Sequence, residues 1–365
     1  MKEKWSVKKK ILMSILAVIA VLLLVVIGYV IYVFASYHRI DDKQNLKINS
    51  LNGDDSLKVT TDNEYTIGTY NVGFGAYTPD YSFFMDGGKY SRCFSRQSGI
   101  DAINGAADLA KSGNPDFMLF QEVDRDSTRS YHVNQEQLIN KKFDGYFQNF
   151  AVNYDSAYLF YPFNEPIGKS YSGIDVYSKY QITSALRRSF PISTSFSKFL
   201  DLDRCYSVSR VNVDNGKELI IYAVHMSAYG NSDEIRKAQT TMLFNDMKSE
   251  IDKGNYVICG GDFNHDLKLA EDDSVEYESW AYPFPRSQMP KGLSFAMDQL
   301  SKDKYDSLAD SNRNDDTEYK PGKTFTCILD GFIISDNVEM TDYTIKDTGF
   351  LYSDHQPVFM KFKLK

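Results

Sequence analysis

The sequence lacks the short motifs that identify several common classes of enzyme. It contains no CxxC pair, no HExxH, no GxSxG and no glycine-rich phosphate loop, and no segment of it repeats. These absences argue against a CxxC metal or redox site, a zinc protease, a serine hydrolase and a P-loop enzyme. Cysteine is scarce as well. The four cysteines are widely spaced among 365 residues, so we expect free, structural thiols, although an external location would permit a disulfide.

Positive charge is scarce in most of the chain. The formal net charge is −8, yet five lysines against one glutamate give the first ten residues +4, which leaves −12 for the remainder. An acidic body of this kind does not hold a polyanion by bulk attraction, so non-specific DNA binding is disfavoured. A local basic rim, which a nuclease would need, has only two hints in the sequence, Arg187-Arg188 and the pair Arg92 and Arg96.

Near the amino terminus, residues 11–34 form an almost wholly apolar run of 24 residues. A helix of this length crosses about 30 Å of hydrocarbon, and the lysines before it favour a cytoplasmic tail over 1–10. A cleaved signal peptide is the alternative, but the run exceeds the usual core of about 7–15 residues and Phe34-Ala35-Ser36 is a poor cleavage site. We therefore expect an uncleaved transmembrane helix over 11–34 and a polar tether over 35–63, with the rest of the chain outside.

One short stretch carries an acid and an amide at the end of a predicted strand. Residues 256–259 are apolar and partly β-branched, and the two glycines after them permit a sharp turn. Beyond the glycines, Asp262 can take a proton from water, and Asn264 can orient that water or a phosphate oxygen. A strand followed by a plain Asx turn would contain the same residue types.

Other polar residues stand at the ends of predicted strands. They are Asn71, Glu122 and His225, in strands predicted at 65–72, 116–124 and 218–225. A carboxylate at a strand end that opens into a loop is where a metal ligand belongs in a sheet enzyme. Each such residue, taken alone, is nevertheless more often structural than catalytic.

The carboxyl-terminal part adds a second acid and a second histidine. Asp330 lies inside an apolar strand predicted at 328–335, where a carboxylate is costly unless it is paired. Asp354 and His355 come just before the closing strand. We predict that Asp330 pairs with His355, because a buried acid would fix the tautomer of the imidazole and favour its charged form.

Helices and loops complete the pattern. Spacing of apolar residues predicts helices over 98–112 and 232–251, and Asp214-Asn215-Gly216 predicts a hairpin turn. The segment 267–324 is too long for a plain connection, so we expect it to cap the site or to carry short helices. Aromatic residues at 74–94 and from Trp280 to Pro290 would suit a membrane interface, although loop packing is their commoner role.

Taken in order, these pieces resemble the endonuclease/exonuclease/phosphatase superfamily, which has the DNase I-like fold. The ordered set is Tyr70-Asn71, Gln121-Glu122-Val123, Tyr171-Ser172-Gly173, His225, Gly261-Asp262-Phe263-Asn264, Asp330 and Ser353-Asp354-His355. It spans about residues 64–365. The resemblance implies a catalytic domain over that range with a four-layer α/β sandwich, in which two mostly antiparallel sheets pack together between helices and the site lies at one edge.

The resemblance also implies a metal centre and a water site. Glu122 resembles the main ligand for Mg²⁺ in that family, with Asn71 and Asp354 helping to hold the ion. Asp262 resembles the acid that orients or deprotonates the attacking water, and Asn264 resembles its neighbour on the phosphate. Mg²⁺ is the expected cofactor, and Mn²⁺ is the alternative.

Further roles follow from the same resemblance. His355, polarised by Asp330, is similar to the histidine on the scissile phosphate, and His225 is similar to a second histidine that protonates the leaving oxygen. Tyr171 resembles a phosphate-facing tyrosine. One departure is Asp175, which stands where the family usually has a small residue. The signatures of the inositol-phosphatase branch are also missing.

We therefore expect a membrane-anchored, metal-dependent hydrolase of phosphodiesters, with its amino terminus in the cytoplasm and its catalytic domain outside the cell. A phospholipid, another small extracellular ester or a nucleic acid is the expected substrate. Two other interpretations stay open. One is an extracellular nuclease that cleaves DNA or RNA, and the other is a non-catalytic binding module on the same fold. No protein partner follows from the sequence.

Overall fold

The computed structural model describes residues 6–195, 202–227, 233–271 and 281–365, without the side chain of Asp233. Ser232 and Trp280, which begin two of the predicted segments, lie outside the described residues. The α-helices are α1 (Val7–Ser36), α2 (Arg96–Ser112), α3 (Gln135–Asn140), α4 (Asp233–Asp252) and α5 (Lys302–Asp306). The strands are β1 (Gln44–Asn45), β2 (Ile48–Leu51), β3 (Glu64–Asn71), β4 (Phe117–Asp124), β5 (Tyr146–Asp155), β6 (Tyr171–Ser178), β7 (Ile182–Ser189), β8 (Cys205–Asn212), β9 (Glu218–His225), β10 (Tyr256–Asp262), β11 (Leu293–Phe295), β12 (Asn312–Arg313), β13 (Thr326–Cys327), β14 (Asp330–Ser335), β15 (Val338–Ile345) and β16 (Val358–Leu364).

Two seven-stranded sheets form the centre of the described fold. Their strand orders are β1-β7-β8-β9-β10-β14-β11 and β15-β16-β3-β4-β6-β5-β2. Helices α2 and α3 pack on the second sheet through Ile103 and Ile139, and α4 packs on the first through Leu243 and Met247. The sequence-based prediction of a four-layer α/β sandwich is confirmed. The hairpin at 214–216 and the helices expected at 98–112 and 232–251 are also present, the helices as α2 and α4.

The two sheets approach each other closely beside the site. A Cβ atom on Gly260 would lie 2.5 Å from the ring of Phe332 and 3.0 Å from Leu119 of the other sheet. Only glycine fits there, because real Cβ atoms do not come so near other heavy atoms. Asp262, two residues further along β10, points the same way. The carboxylate therefore enters the space between the sheets.

Parallel pairing decides where the polar strand ends meet. β3 pairs with β4 and β9 with β10 in parallel, so all four strands end at one edge of the sandwich. β14 and β16 run antiparallel to β10 and β3, so they begin at that edge. In register, Asp262 lies opposite His225 on one side and opposite Asp330 on the other. Residues distant in the sequence are thereby brought to one place, which we call the catalytic edge.

The segment before the domain differs from its prediction. The sequence predicts a polar tether over 35–63, but β1 pairs with β7 and β2 pairs with β5 at the outer margins of the two sheets. Val59 also bridges to Val213. Edge strands have free backbone groups that pair with any extended segment, and this pairing needs no apolar alternation in the added strand. The segment is therefore part of the domain over these residues.

Two other expectations concern the amino-terminal helix and the cysteines. Among the described residues, α1 is the one helix long and apolar enough to cross a membrane, and it extends beyond the predicted 11–34 to 30 residues. Ser6 caps its first turn by accepting a bond from the backbone of Lys9. All four cysteines are free and buried, as predicted.

Candidate active site

A chain of hydrogen bonds joins three polar residues at the catalytic edge. The Asn71 amide nitrogen donates to Asp262 Oδ2 at 3.0 Å and to Glu122 Oε1 at 3.2 Å. The Asn71 amide oxygen accepts from the backbone of Gly73 at 3.0 Å. In this orientation Asn71 bridges two carboxylates as a donor. To serve as a metal ligand, as predicted, its amide would have to turn end for end.

Glu122 is presented by an irregular backbone. Its φ is +56°, in the left-handed region, and the pairing of β4 with β6 shifts register between Phe120 and Val123. The bulge turns the side chain out of the sheet's regular alternation. Burial raises the pKa of Glu122, the Arg129 guanidinium 3.9 Å away lowers it, and the Asp354 carboxylate raises it, with a net upward shift. The Asp354 carboxylate and the Arg129 guanidinium thus act on the pKa of Glu122 in opposite directions.

The predicted pair of Asp330 and His355 is present. His355 Nδ1–H donates to Asp330 Oδ2 at 2.7 Å, and Ser311 Oγ donates to the same oxygen at 2.7 Å. Burial lowers the pKa of His355, but the carboxylates of Asp330, Asp262 and Asp354 outweigh burial and raise the pKa well above its usual value. The ring therefore carries a positive charge at neutral pH.

Asp262 occupies the middle of the group. Its Oδ2 lies 3.6 Å from His225 Nε2 and 3.7 Å from His355 Nε2, and its Oδ1 accepts from the backbone of Asn264 at 2.8 Å. Burial raises the pKa of Asp262, His355 lowers it and Asp330 raises it, and the result is about 7. An acid of this strength exchanges protons near neutral pH.

The two histidines differ in charge. Burial, followed by the charges of Arg204 and His355, lowers the pKa of His225 well below its usual value. Its Nδ1 lies 3.4 Å from the Asn153 amide nitrogen. His225 is therefore neutral where His355 is charged. A neutral imidazole is a poor proton donor, which does not suit the leaving-group role that the resemblance implies for His225.

Two more predicted residues stand at the rim. Asn264 has a φ of +51° and donates from its amide to Met226 O at 2.9 Å. Asp354 accepts from Ser353 Oγ at 3.1 Å, and its Oδ2 lies 4.0 Å from His355 Nε2. Both residues are partly exposed. They lie where a ligand from solvent would first arrive.

Tyr171 is not brought to this group. Its backbone bonds Arg125 and Ser127, and its side chain lines a separate cleft with Arg39 and Arg187. Among the described residues, no hydrogen bond or ion pair joins its hydroxyl to the catalytic edge. The reason is alternation along β6, because Ser172, the next residue, is the one that turns toward Arg129.

Asp175, the departure from the family pattern, lies apart as well. It is buried and accepts hydrogen bonds from Gln148 and Tyr177. Burial and the nearby Glu136 raise its pKa well above the usual value. Its role is structural in this arrangement, on the sheet face that packs on α3.

Four residues of the site carry no signal that a single sequence reveals. They are Arg129, Asn153, Arg204 and Asn312. Arg129 and Arg204 lie outside the strands, Asn153 lies near the end of β5, and Asn312 lies in β12 within the long 267–324 segment. Asn312 Nδ2 lies 3.0 Å from His355 Nε2, and its Oδ1 has no partner. Turning that amide would present the oxygen to the Nε2–H of a charged ring. Arg204 is buried with two guanidinium nitrogens unpartnered.

Metal ligands can be sought in two places. Among the described residues, one atom each of Asp262, Asp330 and His355 lie within 4.8 Å of one another. A hydrogen bond already occupies Asp330 and His355 with each other, and the triad includes an imidazole, which Mg²⁺ seldom takes. Glu122 and Asp354 offer carboxylate oxygens at the more open end of the site. They are the better candidates for a hard cation, and the predicted metal residues remain these two with Asn71.

One of the two sequence hints of a basic rim, which a nuclease would need, is absorbed by the fold. Arg187 is buried and bonds the backbone of Val152 and Asp203. Arg188 is paired with Asp42 and Asp246. Arg187 and Arg188 are therefore occupied within the protein and do not form a nucleic-acid surface.

Comparison with known proteins concerns the family and the fold of the chain. A model of the Endonuclease/Exonuclease/phosphatase family matches residues 68–293, more than half of the chain. A search of curated proteins finds no significant match. Among solved structures, an endonuclease/exonuclease/phosphatase from Beutenbergia cavernae DSM 12333 is similar, with a TM-score of 0.59, 15% identity, and coverage of 82% of this chain and 72% of that one.

Two further solved structures share the fold. TDP2 from D. rerio, complexed with single strand DNA product, has a TM-score of 0.55 and 16% identity, with coverage of 83% of this chain and 100% of that one. The human Nocturnin catalytic domain with bound sulfate anion has a TM-score of 0.51 and 15% identity, with coverage of 88% and 98%. At such identities the likeness concerns the fold alone.

Proposed function

The chain belongs to the endonuclease/exonuclease/phosphatase family, and we propose that it is a divalent-metal-dependent phosphodiester hydrolase held in a membrane by α1. Family membership supports a hydrolase of the phosphoesterase or nuclease type. The observation that carries the finer proposal is the hydrogen-bonded convergence of Asn71, Asp262, Asp330 and His355 at one edge of two sheets.

Glu122 and Asp354 are the residues that would hold the cation. Both are partly exposed acids whose like charges interact, and Arg129 supplies a counter-charge 3.9 Å from Glu122. Mg²⁺ prefers a few carboxylate oxygens together with several waters, so this donor set fits it, and Mn²⁺ is the alternative. When bound, such an ion would neutralise charge on a non-bridging phosphate oxygen. Asn71 would contribute its amide oxygen after releasing Gly73.

The remaining residues handle water, protons and phosphate. In hydrolysis the water oxygen bonds to phosphorus as the bond from phosphorus to the leaving oxygen breaks. Asp262, held by the backbone N–H of Asn264, receives one proton of the water. His355, kept charged by Asp330, stabilises the phosphate and is a better source of the proton for the leaving oxygen than neutral His225.

Helix α1 supports the proposed placement in the membrane. It has 30 residues, is apolar enough to cross a bilayer, and 0% of its most apolar window is buried against the rest of the described chain. The lysines before it favour a cytoplasmic amino terminus, which puts the catalytic domain outside the cell. The proposed organisation is a tail over 1–10, a span over 11–34 and an external catalytic domain.

A nuclease is the second candidate. It is favoured by the likeness to a TDP2 structure that holds a single-stranded DNA product. The net negative charge of the external part and the internal pairing of Arg187 and Arg188 count against it.

Turnover of bis-p-nitrophenyl phosphate by the full-length protein tests the proposal. With Mg²⁺ present, Glu122→Ala and His355→Ala should each lower turnover by at least about 100-fold, since each removes an electrostatic or acid–base group. Glu339→Ala, an exposed acid on β15, is the matched control and should leave turnover unchanged. Wild-type turnover in both site variants would refute the assignment. Asp262→Ala distinguishes an enzyme from a binding module, which would have no turnover to lose.

A further inference from the structure

The loop between β5 and β6 emerges at the catalytic edge and exposes aromatic side chains. β4 ends at this edge, β6 is antiparallel to β4, and β5 is antiparallel to β6, so β5 must end there too. Phe160, Tyr161 and Phe163 in the loop are 50%, 63% and 85% exposed. Exposed aromatic residues adjacent in one loop are uncommon in water and typical of membrane interfaces.

The same loop contacts helix α1. The Tyr29 hydroxyl donates to Tyr158 O at 3.1 Å, and the Tyr32 hydroxyl accepts from Tyr158 N at 3.0 Å. The ring of Phe160 meets the ring of Tyr29 edge to face, with centroids 5.1 Å apart. Val33 and Ala157 are buried in this contact. The helix is therefore joined to the domain at the catalytic edge.

Helix length gives the depth of that contact. Tyr29 comes 18 positions after Ile11, which at a rise of 1.5 Å per residue is about 27 Å along the helix axis. The hydrocarbon layer is about 30 Å thick. If the apolar run begins at the cytoplasmic boundary, Tyr29 lies at the external boundary, and Phe160 lies beside it at the same depth.

A short path of ring contacts leads from the loop to the site. Tyr161 lies 5.8 Å from Phe84, centroid to centroid. Met85, the next residue, is 61% exposed and adds an apolar side chain to the same surface. The path continues through the ring of Phe83, 5.1 Å from Phe84 and 6.3 Å from Phe74. The guanidinium of Arg129 lies over the Phe74 ring at 3.9 Å and is 3.9 Å from the Glu122 carboxylate. The entrance to the site therefore adjoins the exposed loop.

We propose that Phe160, Tyr161, Phe163 and Met85 form an aromatic rim that lies in the external interface of the bilayer, and that the site takes the headgroup phosphodiester of a lipid in the same membrane. The second part rests on the proposed hydrolase function, and the first does not. Continuity with α1 selects a bilayer as the occupant of this surface. The acids beside the entrance disfavour a polyanion such as DNA.

The position of the rim can be measured without any reference to activity. In the full-length variant Phe163→Cys, an environment-sensitive fluorescent label is attached to the new thiol, and the protein is reconstituted in vesicles of phosphatidylcholine and phosphatidylglycerol. The four native cysteines are buried and should react little with the label. Leu57→Cys is the matched control, because Leu57 is 43% exposed near the β8–β9 turn at the opposite end of the sheets. Spin-labelled lipids should quench the label at 163 at least about fivefold more than at 57. Equal quenching by lipids, or equal access to aqueous iodide, would overturn the proposal.

Substrate choice is tested in the same vesicles. Phe160→Ser with Phe163→Ser, outside the catalytic group, should lower phospholipid hydrolysis at least about 10-fold and leave bis-p-nitrophenyl phosphate turnover within about twofold. An equal loss on both substrates, no loss on either, or faster cleavage of a single-stranded oligonucleotide than of lipid by the wild type would overturn the lipid assignment. Wild-type turnover in Glu122→Ala would instead defeat the hydrolase proposal, while the quenching result would still stand.

Discussion

Replacement of Asp330 by asparagine tests how the charge of His355 is maintained. The carboxylate accepts two bonds on one oxygen, from His355 Nδ1 and from Ser311 Oγ, both at 2.7 Å. Asparagine keeps the shape and one acceptor oxygen, but it loses the charge. A hydrogen bond to a charged group contributes about 1.5–3 kcal/mol, roughly twice a neutral one.

That difference sets the expected loss of activity. If the carboxylate charge acts fully in the transition state, Asp330→Asn loses about half of that energy, roughly 0.75–1.5 kcal/mol. Turnover should then fall by about 3-fold to 12-fold, since about 1.4 kcal/mol corresponds to a factor of ten. The assay is kcat/KM for bis-p-nitrophenyl phosphate with Mg²⁺, alongside circular dichroism to verify that the variant folds.

Glu250→Gln is the matched control for Asp330→Asn. Glu250 is also a largely buried carboxylate with several partners, in α4, where it accepts bonds from Arg210, Lys253 and Asn255. Its replacement should cost stability and leave turnover unchanged. If folded Asp330→Asn retains turnover within about twofold of the control, the carboxylate does not sustain a catalytic charge on His355 and the reasoning is refuted.

Three further predictions concern stability and metal. Gly261→Ala should destabilise the fold by about 2–4 kcal/mol, because φ is +143° and a Cβ would lie 2.1 Å from Val224 O. Gly216→Ala is the control, because the space around Gly216 is open, and it should cost only about 1 kcal/mol. Equal urea midpoints for the two variants would contradict this prediction. Burial raises the pKa of Glu250, but Arg210 and Lys253 outweigh it and lower the pKa to about 2 from 4.5, so its stabilisation is present above pH 4.5 and lost as pH falls toward 2. The free energy of unfolding, measured with urea at pH 6 and at pH 3, should fall by about 1 kcal/mol less in Glu250→Gln than in the wild type, allowing for solvent screening. An equal fall in both proteins would count against the pairing. Removal of divalent cations with EDTA should abolish turnover and added Mg²⁺ or Mn²⁺ should restore it; undiminished turnover in EDTA would exclude a metal role.

Local patterns in the sequence predict the strands and the polar residues at their ends. The apolar runs before Asn71, Glu122, His225 and Asp262 are strands, because alternation and β-branching favour extended backbone over each short range. The pairing of Asp330 with His355 follows from the cost of a lone buried carboxylate. Strand alternation depends on a few neighbouring residues, and the cost of burying a carboxylate depends on one side chain. Both can therefore be read from a single sequence.

Contacts between distant segments have no such local record. Asn312 reaches His355 from a long irregular segment, and Tyr171 turns away from the site because of its place in the alternation of β6. Residues 44–51 join the sheet edges through backbone bonds that any side chain permits.

The sequence by itself determined the long apolar helix near the amino terminus, the order of the strands and the acids and imidazoles at their ends. The tertiary structure alone decided that Asn71 bridges Glu122 and Asp262, and that α1 leaves the domain at the catalytic edge. Both contacts depend on which strand ends come together when the two sheets pack. Because that packing is decided by the free energy of the whole core, no short stretch of residues encodes it.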